Sequence, residues 1–286
     1  MSDRLYVLAF DHRRSLMTSF FGVEGEPSPD DVDRARLAKQ VIWEGLLRAI
    51  DDGIPRTAAA ALVDATYGAD VIAAAAAHGI RVGVPVEASG RRELAFEHDD
   101  WRERLDRLDP TWAKVLVRYR ADGDEHMNAR QRGLIADIHA YCRETDRGLM
   151  LELLVPAEPG ENPAAFDAER RPALMVRAIE EIRRDGIAPS LWKLEGLTRR
   201  ADCDDVARAA EAPCLVLGRG EDRAAVDAWL RSAARVPGYA GFAIGRSIWW
   251  QALRRFFDDE VTRGDTVAAI AKEYARCVGV YDAAAR

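Results

Sequence analysis

Lysine occurs only at positions 39, 114, 193 and 272, whereas every other basic residue is Arg. Two of these lysines, Lys114 and Lys193, fall inside apolar segments that read as strands: Ala113-Lys114-Val115-Leu116-Val117-Arg118-Tyr119 and Leu191-Trp192-Lys193-Leu194-Glu195-Gly196. An arginine cannot replace a lysine where a neutral amine is needed. The chemistry open to such an amine is attack on a ketone to form a Schiff base, whose protonated imine then accepts electrons. An ordinary lysine is neutral only about one time in a few thousand at pH 7, and burial beside a second cation raises that fraction. Lys114 is the candidate second cation and Lys193 the candidate nucleophile.

Carboxylates are available as acid–base partners. Strand alternation in Leu149-Met150-Leu151-Glu152-Leu153-Leu154-Val155 puts the leucines at 149, 151 and 153 on one face and Glu152 on the other. By the same parity Lys193 and Glu195 share a face, as do Lys114 and Arg118. Asp11 and Glu87 end two further apolar runs. The competing reading is a buried salt-bridge cluster, Lys114 and Lys193 against Glu152 and Glu87, that only fills the interior.

A second pattern concerns anions. Leu217-Gly218-Arg219-Gly220-Glu221-Asp222 and Gly241-Phe242-Ala243-Ile244-Gly245-Arg246-Ser247 each follow an apolar run. Glycines there let backbone N–H groups approach phosphate oxygens, and Arg246 adds a bidentate clamp. Gly218-Arg219-Gly220 alone serves equally as a tight turn and lacks the third glycine of a dinucleotide fingerprint. His12, beside Asp11 and Arg13, is the one histidine at a strand end, placed as readily to bind substrate or brace Asp11 as to transfer protons. No His/carboxylate trio has metal-ligand spacing, so neither a metal nor another cofactor is expected.

The elements that must position these groups alternate short apolar runs with longer amphipathic ones. Strands are expected at residues 6–10, 60–64, 81–87, 113–119, 149–155, 191–195, 214–217 and 241–244. Helices are expected at 30–51, 69–78, 101–108, 128–144, 168–185, 204–211, 223–233, 248–259 and 267–281. No linker interrupts residues 1–286, so the pattern predicts one α/β domain, a (β/α)8 TIM barrel, with an open doubly wound sheet as the alternative. In a barrel the active site lies at the C-terminal strand ends, where the polar residues above fall.

The 286 residues carry a net charge of −7, with 48% hydrophobic and 31% charged residues. That sign disfavours nucleic acid or an anionic membrane as the main partner, but leaves room for an anionic small substrate in a locally positive pocket. Cys142, Cys203, Cys214 and Cys277 form no CxxC pair and read as buried, reduced thiols. The apolar stretch at 5–10 is too short for a signal or a span, so a soluble, cytoplasmic protein is expected.

The motifs at the strand ends, taken in order with Phe10-Asp11-His12-Arg13, KVLVRY at 114–119 and WKLEG at 192–196, resemble the aldolase-like barrel of myo-inositol catabolism. That barrel is often fused to 5-dehydro-2-deoxygluconokinase and is described as 2-deoxy-5-keto-gluconate 6-phosphate aldolase. The likeness covers nearly the whole chain. More distantly the layout is similar to the tagatose-1,6-bisphosphate and sulfofructose-phosphate class I aldolases. The resemblance implies Lys193 as Schiff-base former, with Lys114, Glu152 and Asp11 also catalytic and Arg246 on phosphate. His12 stands where the tagatose enzymes favour Gln. The implied reaction is cleavage of 2-deoxy-5-keto-gluconate 6-phosphate to dihydroxyacetone phosphate and malonate semialdehyde. Its expected partner is a small phosphorylated keto-sugar acid, bound through His12, Arg13, Glu87, Arg118, Glu195, Gly218, Arg219, Gly220, Gly245 and Arg246, and the chain is expected to form a homo-oligomer. Cleavage of another ketose phosphate and a non-catalytic, regulatory sugar-phosphate-binding barrel are the alternatives.

Overall fold

A computed structural model describes residues 4–286. Eight parallel strands close in sequence order into a barrel: β1 (Leu5–Phe10), β2 (Ala59–Val63), β3 (Arg81–Pro85), β4 (Trp112–Arg118), β5 (Gly148–Leu154), β6 (Leu191–Glu195), β7 (Cys214–Leu217) and β8 (Tyr239–Ile244). The closing pair is β1 with β8, with Leu8 opposite Ile244. This is the expected (β/α)8 barrel and not an open sheet. Closure follows from strands buried on both faces, which leaves no edge exposed.

The helices around it are α1 (Pro29–Asp51), α2 (Ala65–Ala77), α3 (Trp101–Leu108), α4 (Glu125–Glu144), α5 (Pro163–Ala165), α6 (Arg171–Arg184), α7 (Arg200–Ala210), α8 (Arg223–Ala234), α9 (Arg246–Phe257) and α10 (Arg263–Ala284). Four of them, α2, α4, α7 and α10, start three or four residues earlier than expected, and ahead of α2, α4 and α10 a polar side chain caps the helix. Asp64, read as a strand end, is the N-cap of α2 and accepts from the Tyr67 N–H at 2.8 Å. Asp124 caps α4, and Thr262 with Asp265 forms a capping box on α10. Two stretches are π-helical: Leu16–Phe20 lies outside every expected helix, and Phe166–Arg170 overlaps the start of the one expected at 168–185.

The apolar residues separate into two cores. A large shell lies between strands and helices and includes Trp192, Trp249, Leu151 and Leu153. A smaller cluster, including Leu5, Val7, Leu62, Trp112, Met150, Leu191 and Leu215, fills the barrel interior. Those interior residues sit early in their strands, so the floor of the barrel is apolar and the layers above it are polar. All four cysteines are buried and unpaired. Among the described residues no helix is long and apolar enough to cross a membrane.

Candidate functional site

Strand parity dictates which side chains meet above the apolar floor. Met150 points inward, so Glu152 does too; Leu191 points inward, and Lys193 and Glu195 follow. Glu152 stands directly opposite Lys193 in the β5–β6 ladder. Lys114, on β4, lies one inward layer below Glu152, opposite Met150. The Lys114 ammonium is within 2.9 Å of Asp11, 2.7 Å of Glu87 and 2.8 Å of Glu152. Among the described residues Lys193 has one carboxylate at ion-pair distance, the same Glu152 Oε2 at 3.0 Å.

The two amines therefore differ. Burial disfavours the Lys114 ammonium, but the combined pull of Asp11, Glu152 and Glu87 overcomes it and holds Lys114 charged well above the ordinary lysine range. Burial likewise disfavours the charged forms of Glu152 and Asp11, and Lys114 with Lys193 reverses this, keeping both carboxyls below their usual range. Glu152 Oε2 lies at ion-pair distance from both ammoniums, and Glu87 Oε2 is buried without a hydrogen-bond partner.

Glu195 anchors a separate network. It accepts from the Val155 N–H at 2.7 Å and lies 3.3 Å from Arg171 and 3.7 Å from Arg219. Burial pushes its carboxyl up despite Arg171. Asp167 joins the same two arginines, pairing with Arg171 and with Arg219 at 2.8 Å. Arg219 thus lines the pocket with its charge shared between Glu195 and Asp167.

At the β7 and β8 ends, backbone and guanidinium converge. Gly245 starts α9 with no side-chain cap, leaving the first N–H groups of the helix at the pocket. A Cβ at Gly245 would lie 2.1 Å from the Ala9 carbonyl, so only glycine lets β8 end this close to β1. Arg246 donates to the Arg219 carbonyl at 2.6 Å and lies over Gly220, bridging both glycine loops. Among the described residues it has no carboxylate within ion-pair distance, which leaves its remaining N–H groups for an anion.

At the β1 end, burial pushes the His12 imidazole down to about 3 against the opposing pull of Asp11, so it is neutral at physiological pH. Its Nδ1 is 4.0 Å from Asp11, and its ring stands edge-on to Trp249 at 5.4 Å. Arg13 is turned into the protein: it pairs with Glu97 and donates to the Glu87 carbonyl at 2.8 Å. Two buried cations escaped the sequence reading. Lys39, from α1, binds the Phe10 and His12 carbonyls and pairs with Asp64 at 2.6 Å, fixing the strand end that carries Asp11. Its signal was the rarity of lysine, masked by an amphipathic helix. Arg171 sits in a run of charged residues and gave none.

These groups line a cavity of about 640 Å³ at the C-terminal mouth of the barrel. Its walls carry seven arginines with Lys114 and Lys193, against Asp11, Glu87, Glu93, Glu152 and Glu195. The pocket is locally positive although the chain carries −7. Glu87, Lys114, Arg118, Glu152, Lys193, Glu195, Gly218, Arg219, Gly220, Gly245 and Arg246 all line it, together with Asp11, His12 and part of Arg13. Among the described residues no three His, Cys, Asp or Glu side chains are arranged to hold a metal ion.

Fold and site define a (β/α)8 barrel with a polar, cationic pocket at the C-terminal ends of its strands, an architecture that commonly houses enzymes. The chain belongs to the family described as "Uncharacterized protein conserved in bacteria (DUF2090)", matching it over residues 1–285. No curated protein matches the sequence. Among solved structures it is similar to Cgl0159 from Corynebacterium glutamicum, with a TM-score of 0.60 and 16% identity over 96% of this chain and 86% of that one. At that identity the likeness concerns the fold.

Proposed function

We propose that this barrel is a class I aldolase that cleaves 2-deoxy-5-keto-gluconate 6-phosphate into dihydroxyacetone phosphate and malonate semialdehyde. The observation that carries the reading is the unequal sharing of Glu152: Lys114 is held charged by three carboxylates, while Lys193 touches one, at 3.0 Å, and faces the cavity. A cluster built only to fill the interior would satisfy its polar atoms, yet Glu87 Oε2 lacks a hydrogen-bond partner beneath an open pocket.

In this reading Lys193 attacks the C5 ketone and the carbinolamine loses water, giving a protonated imine. Glu152, ionised and in contact with Lys193, supplies and takes the protons. It then accepts the proton of the C3 hydroxyl as the C3–C4 bond breaks. The bond's electrons flow to the iminium nitrogen, leaving an enamine on Lys193 and releasing the three-carbon aldehyde. Protonation of the enamine at C4 and hydrolysis free dihydroxyacetone phosphate and restore the amine. Lys114 holds a substrate oxygen, Asp11 orients hydroxyls, and Arg246 with the Gly218 and Gly245 backbones receives the phosphate.

Borohydride reduction in the presence of dihydroxyacetone phosphate tests this. The expected result is a covalent mass adduct on Lys193 and no adduct in Lys193→Met. Absence of the adduct in folded wild-type protein, or aldol cleavage that persists in Lys193→Met, refutes it. Comparing turnover with tagatose-1,6-bisphosphate and a sulfofructose phosphate tests the substrate, and a strong preference for either overturns the choice of keto acid.

A further inference from the structure

The mouth of the pocket carries positive charge on two sides, and only the β7–β8 side is accounted for by a phosphate. Across the barrel, after β1, β3 and β4, Arg14, Arg91, Arg92 and Arg118 line the same cavity. None of the four has a carboxylate within ion-pair distance among the described residues. Nearby arginines on this flank behave differently: Arg130 pairs with Glu93 at 2.7 Å, and Arg132 with Asp185 at 2.7 Å. Clustered guanidiniums without counter-charge repel one another, and an anion between them removes that cost.

The cluster is anchored. Residues 86–97 fold back on themselves, with the Ala88 N–H donating to the Ala95 carbonyl at 2.8 Å and the Glu97 N–H to the Val86 carbonyl at 2.9 Å. Buried Gln131 of α4 clamps this excursion to β4, accepting from the Leu94 N–H at 3.0 Å and donating to the Arg118 carbonyl at 3.1 Å. Arg118 donates to the Arg91 carbonyl at 2.8 Å, and Arg14 packs against Gly90. Arg118 follows Lys114 by four residues on the same strand face, roughly 13 Å further up the barrel wall.

We propose that Arg14, Arg91, Arg92 and Arg118 form a second anion subsite that takes the carboxylate end of the substrate. This rests on the aldolase reading for the substrate's identity and sharpens it: the aldehyde half must be anionic. Carboxylate is assigned to this side because the β7–β8 side already offers glycine backbone and a helix N-terminus, the means of cradling a phosphate, and the other charged end of the proposed substrate is a carboxylate, which guanidinium forks match.

Two measurements decide it. Malonate, an unreactive carboxylate probe, is titrated calorimetrically into wild type, Arg118→Ala and the exposed pair Arg91→Ala/Arg92→Ala at low ionic strength. Condensation of dihydroxyacetone phosphate is then followed with malonate semialdehyde and with uncharged propanal. Malonate binding at least about tenfold weaker in the variants, and a loss of kcat/KM of about ten- to a hundredfold for the anionic aldehyde alone, is expected for lost charge-assisted hydrogen bonds. Malonate affinity unchanged in both variants, no malonate binding to wild type, or equal losses for both aldehydes overturns the proposal. Inorganic phosphate binding that depends on these arginines while malonate binding does not also overturns it. The titration needs no catalysis, so a wild-type protein that fails to trap at Lys193 sinks the aldolase reading while malonate still judges the subsite.

Discussion

Replacing Lys114 with Met removes the cation that three buried carboxylates share, and the structure says what each is left with. Glu152 keeps Lys193 at 3.0 Å, and Glu87 keeps Arg13 at 3.7 Å. Asp11 keeps His12, 4.0 Å away and neutral, and the longer-range pull of Lys193, so it loses the most of the three, with its side chain 10% exposed. One uncompensated buried charge costs about 3–5 kcal/mol at neutral pH. For a chain of this size that lowers the thermal midpoint by roughly 5–8 °C. The pH dependence separates this cause from lost packing. In the wild type the Asp11 carboxyl is held below its ordinary range, so its contribution is present above that range and lost as pH falls through it. In Lys114→Met burial acts on Asp11 against Lys193 alone, and its folded pKa rises. The stability that ionised Asp11 contributes is then smaller at every pH above that raised value, and the difference from the wild type narrows as pH falls through it. The gap between the proteins should be widest at pH 7–8 and close towards pH 4, followed by circular dichroism melts across that range. A gap constant with pH would refute the electrostatic account, as would one smaller than about 1 kcal/mol at pH 7.

With its pKa near 3, His12 should keep the imidazole chemical shifts of the neutral ring from pH 8 down to pH 4.5 in heteronuclear spectra; a midpoint between pH 5 and 7 would contradict the burial seen here. Gly245→Ala should separate β8 from β1, because the added Cβ falls 2.1 Å from the Ala9 carbonyl. The expected cost is at least about 1–3 kcal/mol in chemical denaturation, with loss of phosphate binding by titration, and a wild-type-like melting curve would show that the contact relaxes without strain.

Much of this was legible before any coordinates. Period-two alternation places Glu152, Lys193 and Glu195 inward whatever the loops do, and β5 and β6 deliver them there. The eight apolar runs mark eight strands because each is buried on both faces. Element ends were less legible for a local reason: Asp64 ends an apolar run and also caps the next helix, and only the Tyr67 N–H at 2.8 Å decides which role governs the boundary. The partners of buried charges were least legible. Arg13 looked like a substrate ligand from its place beside Asp11 and His12, but it is taken by Glu97, which reaches it through the fold-back at 86–97. Lys39 and Arg171 are mirror cases, cations from helices whose partners lie on other elements.

That division bears on what kind of site this is. Parity alone establishes an inward amine beside a carboxylate, but it does not say which of two lysines is poised to react. The asymmetry comes from outside the two strands. Asp11 is brought to Lys114 by the end of β1, which Lys39 fixes, and Glu87 by the end of β3, which Arg13 fixes. Both braces act on the Lys114 side, and neither reaches Lys193. The loops therefore hold one lysine as a permanent cation and leave the other with a single shared counter-ion facing the cavity. A charge pair that only filled space would need no such difference between its two amines, whereas a nucleophile beside a fixed cation does.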